Sequence, residues 1–287
     1  MAEVRRYRFE DLRGFGAALA AALGVAPARA SALAGQLLWF DAAGVSGLGI
    51  GSLPDLLKSL EGKEIDPKSE GRVVSERAAT AVLDAGRGVP LLALEHAAGI
   101  AGEKARDVGV GVVRVKNLAP VESAAGIAAE IAIGPHAAFL LGPGSGTRWS
   151  VALPCAEGLP AVFDPTLRAA ESARKPKKND VATEGPPTAL ARLFGPWASV
   201  LAEPHEWLIV ALSIAAIEGL SAFHERVSEA VRVMEHNDVA TPGRLVPSVW
   251  EARRRELRER GVSVSAVRWN ALVAWGEKLA VEPPNAC

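Results

Sequence analysis

The chain reads as a mixed α/β protein in which helical N- and C-terminal segments form one domain around a sheet-containing domain. Three observations carry that reading. Helix-period segments with glycine stops run as far as Glu70. Between Gly71 and Asn117 a strand pair, a helix and another strand follow in β-α-β-like alternation. From Val246 onward the pattern is helical again. The expected division is 1–70 plus 245–287 for the helical domain and 71–244 for the sheet-containing one.

Taken in order, "FEDLRGFGAALAAALG" and "PARASALAGQLLWFDAAG" place apolar residues three and four apart and end in glycine, which predicts two helices. "LPDLLKSLEG" predicts a third. "GRVVSERAATAVLDAGRG" holds two β-branched runs around polar residues, as a strand pair does. "PLLALEHAAGIAGEKARDV" is alanine-rich and amphipathic, and "GVGVVRVKN" after it is strongly β-type. Short strands are expected at "AAFLLG", "RWSVALP" and "PAVFD". The polar segment 171–188, with three prolines and no period, reads as a surface loop or linker. Residues 203–235 read as one long, largely buried helix opening at Glu203 and Pro204. Two further helices fill the tail, split at Gly261 and Val262, with Ser263 or Ser265 as the N-cap of the second.

With 32 basic against 33 acidic residues, bulk charge gives no footprint for nucleic acid or an anionic membrane surface. Cys155 and Cys287 lack the spacing of a zinc site or a disulfide framework, so a reducing cytoplasm is the expected setting. The charged N-terminus does not read as a signal peptide, and no apolar run is long enough to span a membrane. His96, His136, His205, His224 and His236 form no short metal-ligand pair, and no metal is expected. The serine-nucleophile pattern G-x-S-x-G is also missing.

Two glycine-rich stretches test for phosphate binding. Gly47, Gly49 and Gly51 follow a helix where a dinucleotide fingerprint needs a strand, so an interhelical turn is the better reading. "GPGSGTRW", from Gly142 to Trp149, does follow a strand but lacks the P-loop lysine; Arg148 leaves an anion site open.

With these elements placed, the whole chain resembles the second, non-Rossmann type of malate/L-lactate dehydrogenase, a family of NAD(P)-dependent reductases of 2-oxoacids and cyclic imines. "FDAAGVSGLGIGSLPDLLKSLEGKEIDP" keeps the family framework at Asp41, Gly44, Val45, Gly49, Ile50, Leu53 and Pro54. "ERAATAVLDAGRG", "GVGVVRVKN" and the arginine-rich tail "VPSVWEARRRELRERGVSVSAVRWNALVAWGEKLAVEPP" continue the likeness. The resemblance implies a non-Rossmann, mixed-sheet cofactor-type domain, NAD or NADP as cofactor, and dimers.

Residue by residue, the resemblance also marks departures. The family's proton-donating histidine falls on Leu48, which has no proton to give, and its substrate-carboxylate arginine falls on Ser52, which cannot form a bidentate pair. In the cofactor motif Asn117 survives, whereas the histidine position is Pro120 and the glycine position Glu122. Gly146 and Thr147 represent the family's G-T-N-P turn. His205 stands at a lysine position and Asp164 matches a family aspartate. The stretch from Glu171 to Pro187 stands where the family has more sheet. The expectation is a dehydrogenase-like chain that has lost hydride transfer and serves as a noncatalytic partner or repurposed protein. It would form a homodimer, or a hetero-oligomer with an intact paralogue. The alternatives are an NAD(P)-dependent reductase whose acid has moved to His205, His136 or Asp164, and a lyase or isomerase in the old pocket.

Overall fold

The computed structural model describes residues 4–143, 148–156, 158–170, 205–236 and 243–287. The polar segment 171–188, Gly146 and Thr147 lie outside these residues, as do Glu203 and Pro204. The chain divides into two compact units, Met1–Glu70 with Arg87–Leu92 and Ser248–Cys287, and Gly71–Gly86 with Ala93–Pro247.

The first unit is built on helices α1 (Phe9–Ala22), α2 (Pro27–Ala42) and α3 (Leu53–Glu61). Leu12, Phe15 and Leu19 on α1, Leu33 and Leu37 on α2, and Leu53, Leu57 and Leu60 on α3 all point into one core. Their spacings of three, four and seven put each set on a single helical face. The ribbon of β1 (Val4–Tyr7) and β10 (Val262–Ser265) is antiparallel, with Arg6 opposite Ser263. Tyr7 of that ribbon stacks on Trp269 with ring centroids 3.9 Å apart, which fastens the ribbon to the C-terminal helix and adds to the apolar area both rings bury.

Among the described residues the second unit holds an eight-stranded sheet in the order β2-β3-β4-β8-β5-β6-β7-β9. Its strands are β2 (Arg72–Glu76), β3 (Thr80–Asp84), β4 (Val110–Lys116), β5 (His136–Gly142), β6 (Arg148–Leu153), β7 (Ala161–Phe163), β8 (Trp207–Ser213) and β9 (Arg244–Leu245). Only β3 and β4 pair in parallel, joined through α4 (Pro90–Val108); every other pairing is antiparallel. A sheet with one parallel pair is mixed, and this is the α/β class expected from the sequence. Helix α5 (Ala125–Ile133) is alanine-rich and buried on most sides, from Ala125 through Ala132.

The long helix expected over 203–235 is a correction. Its apolar first half is β8, the fourth strand of eight, hydrogen-bonded to β4 on one side and β5 on the other. A strand in mid-sheet is apolar over most of its length, and such a run has no period that separates it from a buried helix. Helix α6 (Leu220–His236) supplies only the second half. The tail is corrected in the same way: between α7 (Pro247–Arg260) and α8 (Ala266–Leu279) lies β10, which completes a ribbon with β1. Ser265 does occupy the N-cap position of α8, although its side chain makes no capping bond.

Candidate functional site

The loop from Gly44 to Ser52 in the first unit is organised by two charged side chains that come from outside it. Asp41, on the last turn of α2, accepts a hydrogen bond from the Ile50 amide at 2.6 Å. Arg268 of α8 donates through Nη1 to the carbonyls of Gly47 at 3.2 Å and Ser46 at 3.5 Å. The glycines respond to this arrangement. A Cβ at Gly49 would run into the Asp41 carboxylate, and one at Gly44, whose φ is +80°, would run into the Arg253 guanidinium. A Cβ at Gly47 would meet nothing. Part of the glycine content therefore makes room for a carboxylate and a guanidinium, which answers what the cluster is for better than a phosphate cradle does.

Burial pushes the Asp41 carboxyl up to about 7, against the lowering pull of the Ile50 amide and the Arg268 charge. An acid that gains or loses its proton near neutrality thus sits directly behind the loop. Leu48 is half-buried on the same loop and offers no proton. Ser52 turns its hydroxyl back on the loop, donating to the Gly49 carbonyl at 2.7 Å. In the sequence Asp41 stands as part of the framework. Its presence on the apolar helix end "WFDAAG" is the available signal, but its state depends on burial that only the fold supplies.

In the second unit two candidates, Asn117 and His205, come together at one end of the sheet. Asn117 follows β4 and His205 precedes β8; both adopt left-handed backbone, with φ of +56° and +78°, and the Leu118 amide donates to the His205 carbonyl at 3.1 Å. Asn117 commits Nδ2 to Asp84 Oδ1 at 2.9 Å, which holds the Asp84 carboxyl below its usual range, with Lys116 assisting. His205 and Pro120 are exposed.

Asp164 lies elsewhere in this unit, just after β7, and is 2% exposed. Oδ2 accepts from Ser123 Oγ at 2.8 Å and Ser150 Oγ at 2.5 Å; Oδ1 accepts from the Thr166 amide at 2.8 Å and Thr166 Oγ1 at 2.6 Å. Burial raises its pKa while these donors pull it back. With four donors on two oxygens, Asp164 ties the start of α5 to β6 and the turn after β7, and neither oxygen has room for a further strong donor. His136, at the start of β5, is buried and held toward its neutral form by that burial and by the Arg106 charge.

A dinucleotide needs unspent donors for its phosphates. At the positions that the resemblance marks for the cofactor, Pro120 has no N–H, Asn117 gives one Nδ2 hydrogen to Asp84, and Glu122 is an exposed carboxylate. Among the described residues no three His, Cys, Asp or Glu side chains come together to hold a metal ion. Nor, among them, is any helix long and apolar enough to cross a membrane.

This mixed sheet with its helical companion unit is the fold of malate-dehydrogenase-like proteins. The malate dehydrogenase of Entamoeba histolytica superposes with a TM-score of 0.80 at 15% identity, covering 99% of this chain and 100% of that one. The sulfolactate dehydrogenase of Methanocaldococcus jannaschii gives 0.75 at 18% identity, covering 98% of each. The delta1-piperideine-2-carboxylate reductase of Pseudomonas syringae gives 0.70 at 19%, covering 94% of this chain and 99% of that one. At such identities the likeness establishes the fold.

In sequence, residues 7–133 match the model of the malate/L-lactate dehydrogenase family. Over 77 residues, 27% of the chain, it is 38% identical to the L-sulfolactate dehydrogenase of Methanocaldococcus jannaschii, a stretch spanning 22% of that relative's length.

Proposed function

We propose that this malate/lactate dehydrogenase-like chain does not carry out the family's hydride transfer and acts as a noncatalytic or repurposed binding protein. We take it to work as a homodimer or as the partner of an intact paralogue. The observation that carries the reading is Leu48: where the resemblance places the proton donor, a half-buried aliphatic side chain stands. General acid catalysis of this kind contributes about 10²–10⁴-fold. Ser52, with its hydroxyl turned onto the Gly49 carbonyl, supports the same reading for carboxylate anchoring.

One observation favours a second reading, a reductase with a relocated acid. Asp41 titrates near neutrality immediately behind the loop, which is where a substitute donor would be useful.

The test is turnover of NADH and NADPH against a panel of 2-oxoacids, 2-oxosulfonates and cyclic imines, for the wild type and for Leu48→His/Ser52→Arg. The proposal expects no wild-type oxidation of either cofactor above background. Wild-type turnover abolished by Asp41→Asn would replace it with the second reading.

A further inference from the structure

The loop from Gly44 to Ser52 is tied down by two side chains, and only one of them can change its charge near neutrality. Arg268 donates to the Gly47 and Ser46 carbonyls and stays charged throughout. Asp41 fills the space that Gly49 leaves open and accepts the Ile50 amide at 2.6 Å. Among the described residues that amide is its one hydrogen-bond donor. Asp164, by contrast, meets four donors. A carboxyl shielded from water with a single donor is well placed while it carries a proton and poorly placed once it is charged.

Asp41 has somewhere to go. It borders a cleft of about 190 Å³ that is large enough to admit water. Arg6 of β1 and Arg253 and Glu256 of α7 line that cleft with it, and Arg268 of α8 acts on it from the loop. The guanidiniums draw an ionised carboxylate, whereas Glu256 repels it. Hydration in the cleft is the gain common to every arrangement of these side chains.

We propose that the Gly44–Ser52 loop is a proton-controlled latch: the protonated Asp41 carboxyl holds the Ile50 amide and keeps the loop closed, and ionisation turns the carboxylate into the cleft and releases the Ile50 end of the loop. The closed position raises the Asp41 pKa from 3.8 to about 7, chiefly by burial. A carboxyl that reaches water ionises closer to 3.8, so the open form binds fewer protons. Closure is therefore favoured at acid pH, loses ground as pH rises toward 7, and levels off above that value. The surface presented by Ser46, Gly47 and Leu48 varies with pH in step. This inference concerns the loop alone and rests on neither reading of the function.

The test is amide hydrogen exchange followed by NMR from pH 5 to 8, with each rate corrected for the intrinsic pH dependence of exchange. The Ile50 amide reports the latch, and the amides of Phe15 and Leu19 on α1 report unfolding of the whole unit. In the wild type the opening constant at Ile50 is expected to rise about tenfold or more across this range while those of Phe15 and Leu19 rise less. In Asp41→Asn, which keeps an acceptor for the amide but cannot ionise, the Ile50 value is expected to be flat. Circular dichroism checks that the variant is folded, and the wild-type comparison decides by itself if it is not. A flat profile at Ile50 in the wild type would overturn the proposal. So would an equal rise at Phe15 and Leu19, which marks global unfolding, or a rise that persists in Asp41→Asn. None of these outcomes touches the question of hydride transfer.

Discussion

Asp41 makes a pH dependence that can be worked from the structure. Its pKa rises from 3.8 to about 7 on folding, chiefly because folding removes water from the carboxyl. Below pH 4 both folded and unfolded states hold the proton and Asp41 costs nothing. As pH rises the unfolded chain ionises first, so stability falls across pH 4 to 7 and levels off above the folded value. At about 1.36 kcal/mol per unit, a shift of this size is a loss on the order of 4 kcal/mol at pH 8. Asp41→Asn keeps an oxygen to accept the Ile50 amide but cannot ionise. Urea unfolding of wild type and variant from pH 4.5 to 8.5, taken as a difference at each pH, cancels every other titration. The variant should gain on the wild type by several kcal/mol between the two ends of that range. A difference constant with pH would refute the reasoning, because it would mean that Asp41 ionises as it does in water.

Other consequences of the packing are equally open to measurement. Gly49→Ala should cost about 1–3 kcal/mol in urea unfolding, since the new methyl meets the Asp41 carboxylate, whereas Gly47→Ala, which meets nothing, should stay within about 0.5 kcal/mol. Ser150→Ala removes one of the four donors to buried Asp164 and should cost about 1–3 kcal/mol by the same assay. Arg268→Gln takes away the charge that lowers the Asp41 pKa, so the pH at which wild-type stability levels off should move upward in that variant.

The parts of the fold that could be read from residues are those whose burial pattern is simple. Helices α1 to α4 each bury one face and end at glycine or a polar turn, and β2 to β4 are β-branched runs cut by turn residues. The misses share a cause in long-range context. Strand β8 is paired on both sides in mid-sheet, so its residues Trp207 to Ser213 show no polar face. β1 and β10 are four residues each and exist as strands only because they pair with one another across the length of the chain.

The candidate site divides along the same line. Leu48, Ser52 and Pro120, at the positions that the resemblance marks, are visible in the letters alone. That Asp41 titrates near neutrality, that Asp164 is saturated by Ser123, Ser150 and Thr166, and that Asn117 bonds Asp84 all depend on partners that only the fold brings together.

The measurement that bears most directly on the proposed loss of hydride transfer is titration of the purified protein with NADH and with NADPH, following cofactor fluorescence and melting temperature together. An intact site saturated a hundredfold above its Kd would add about 2.7 kcal/mol of stability and raise the melting temperature accordingly. The account predicts no saturable fluorescence change and no rise in melting temperature with either cofactor. A saturable signal with a matching rise would contradict it and return the chain to the working reductases.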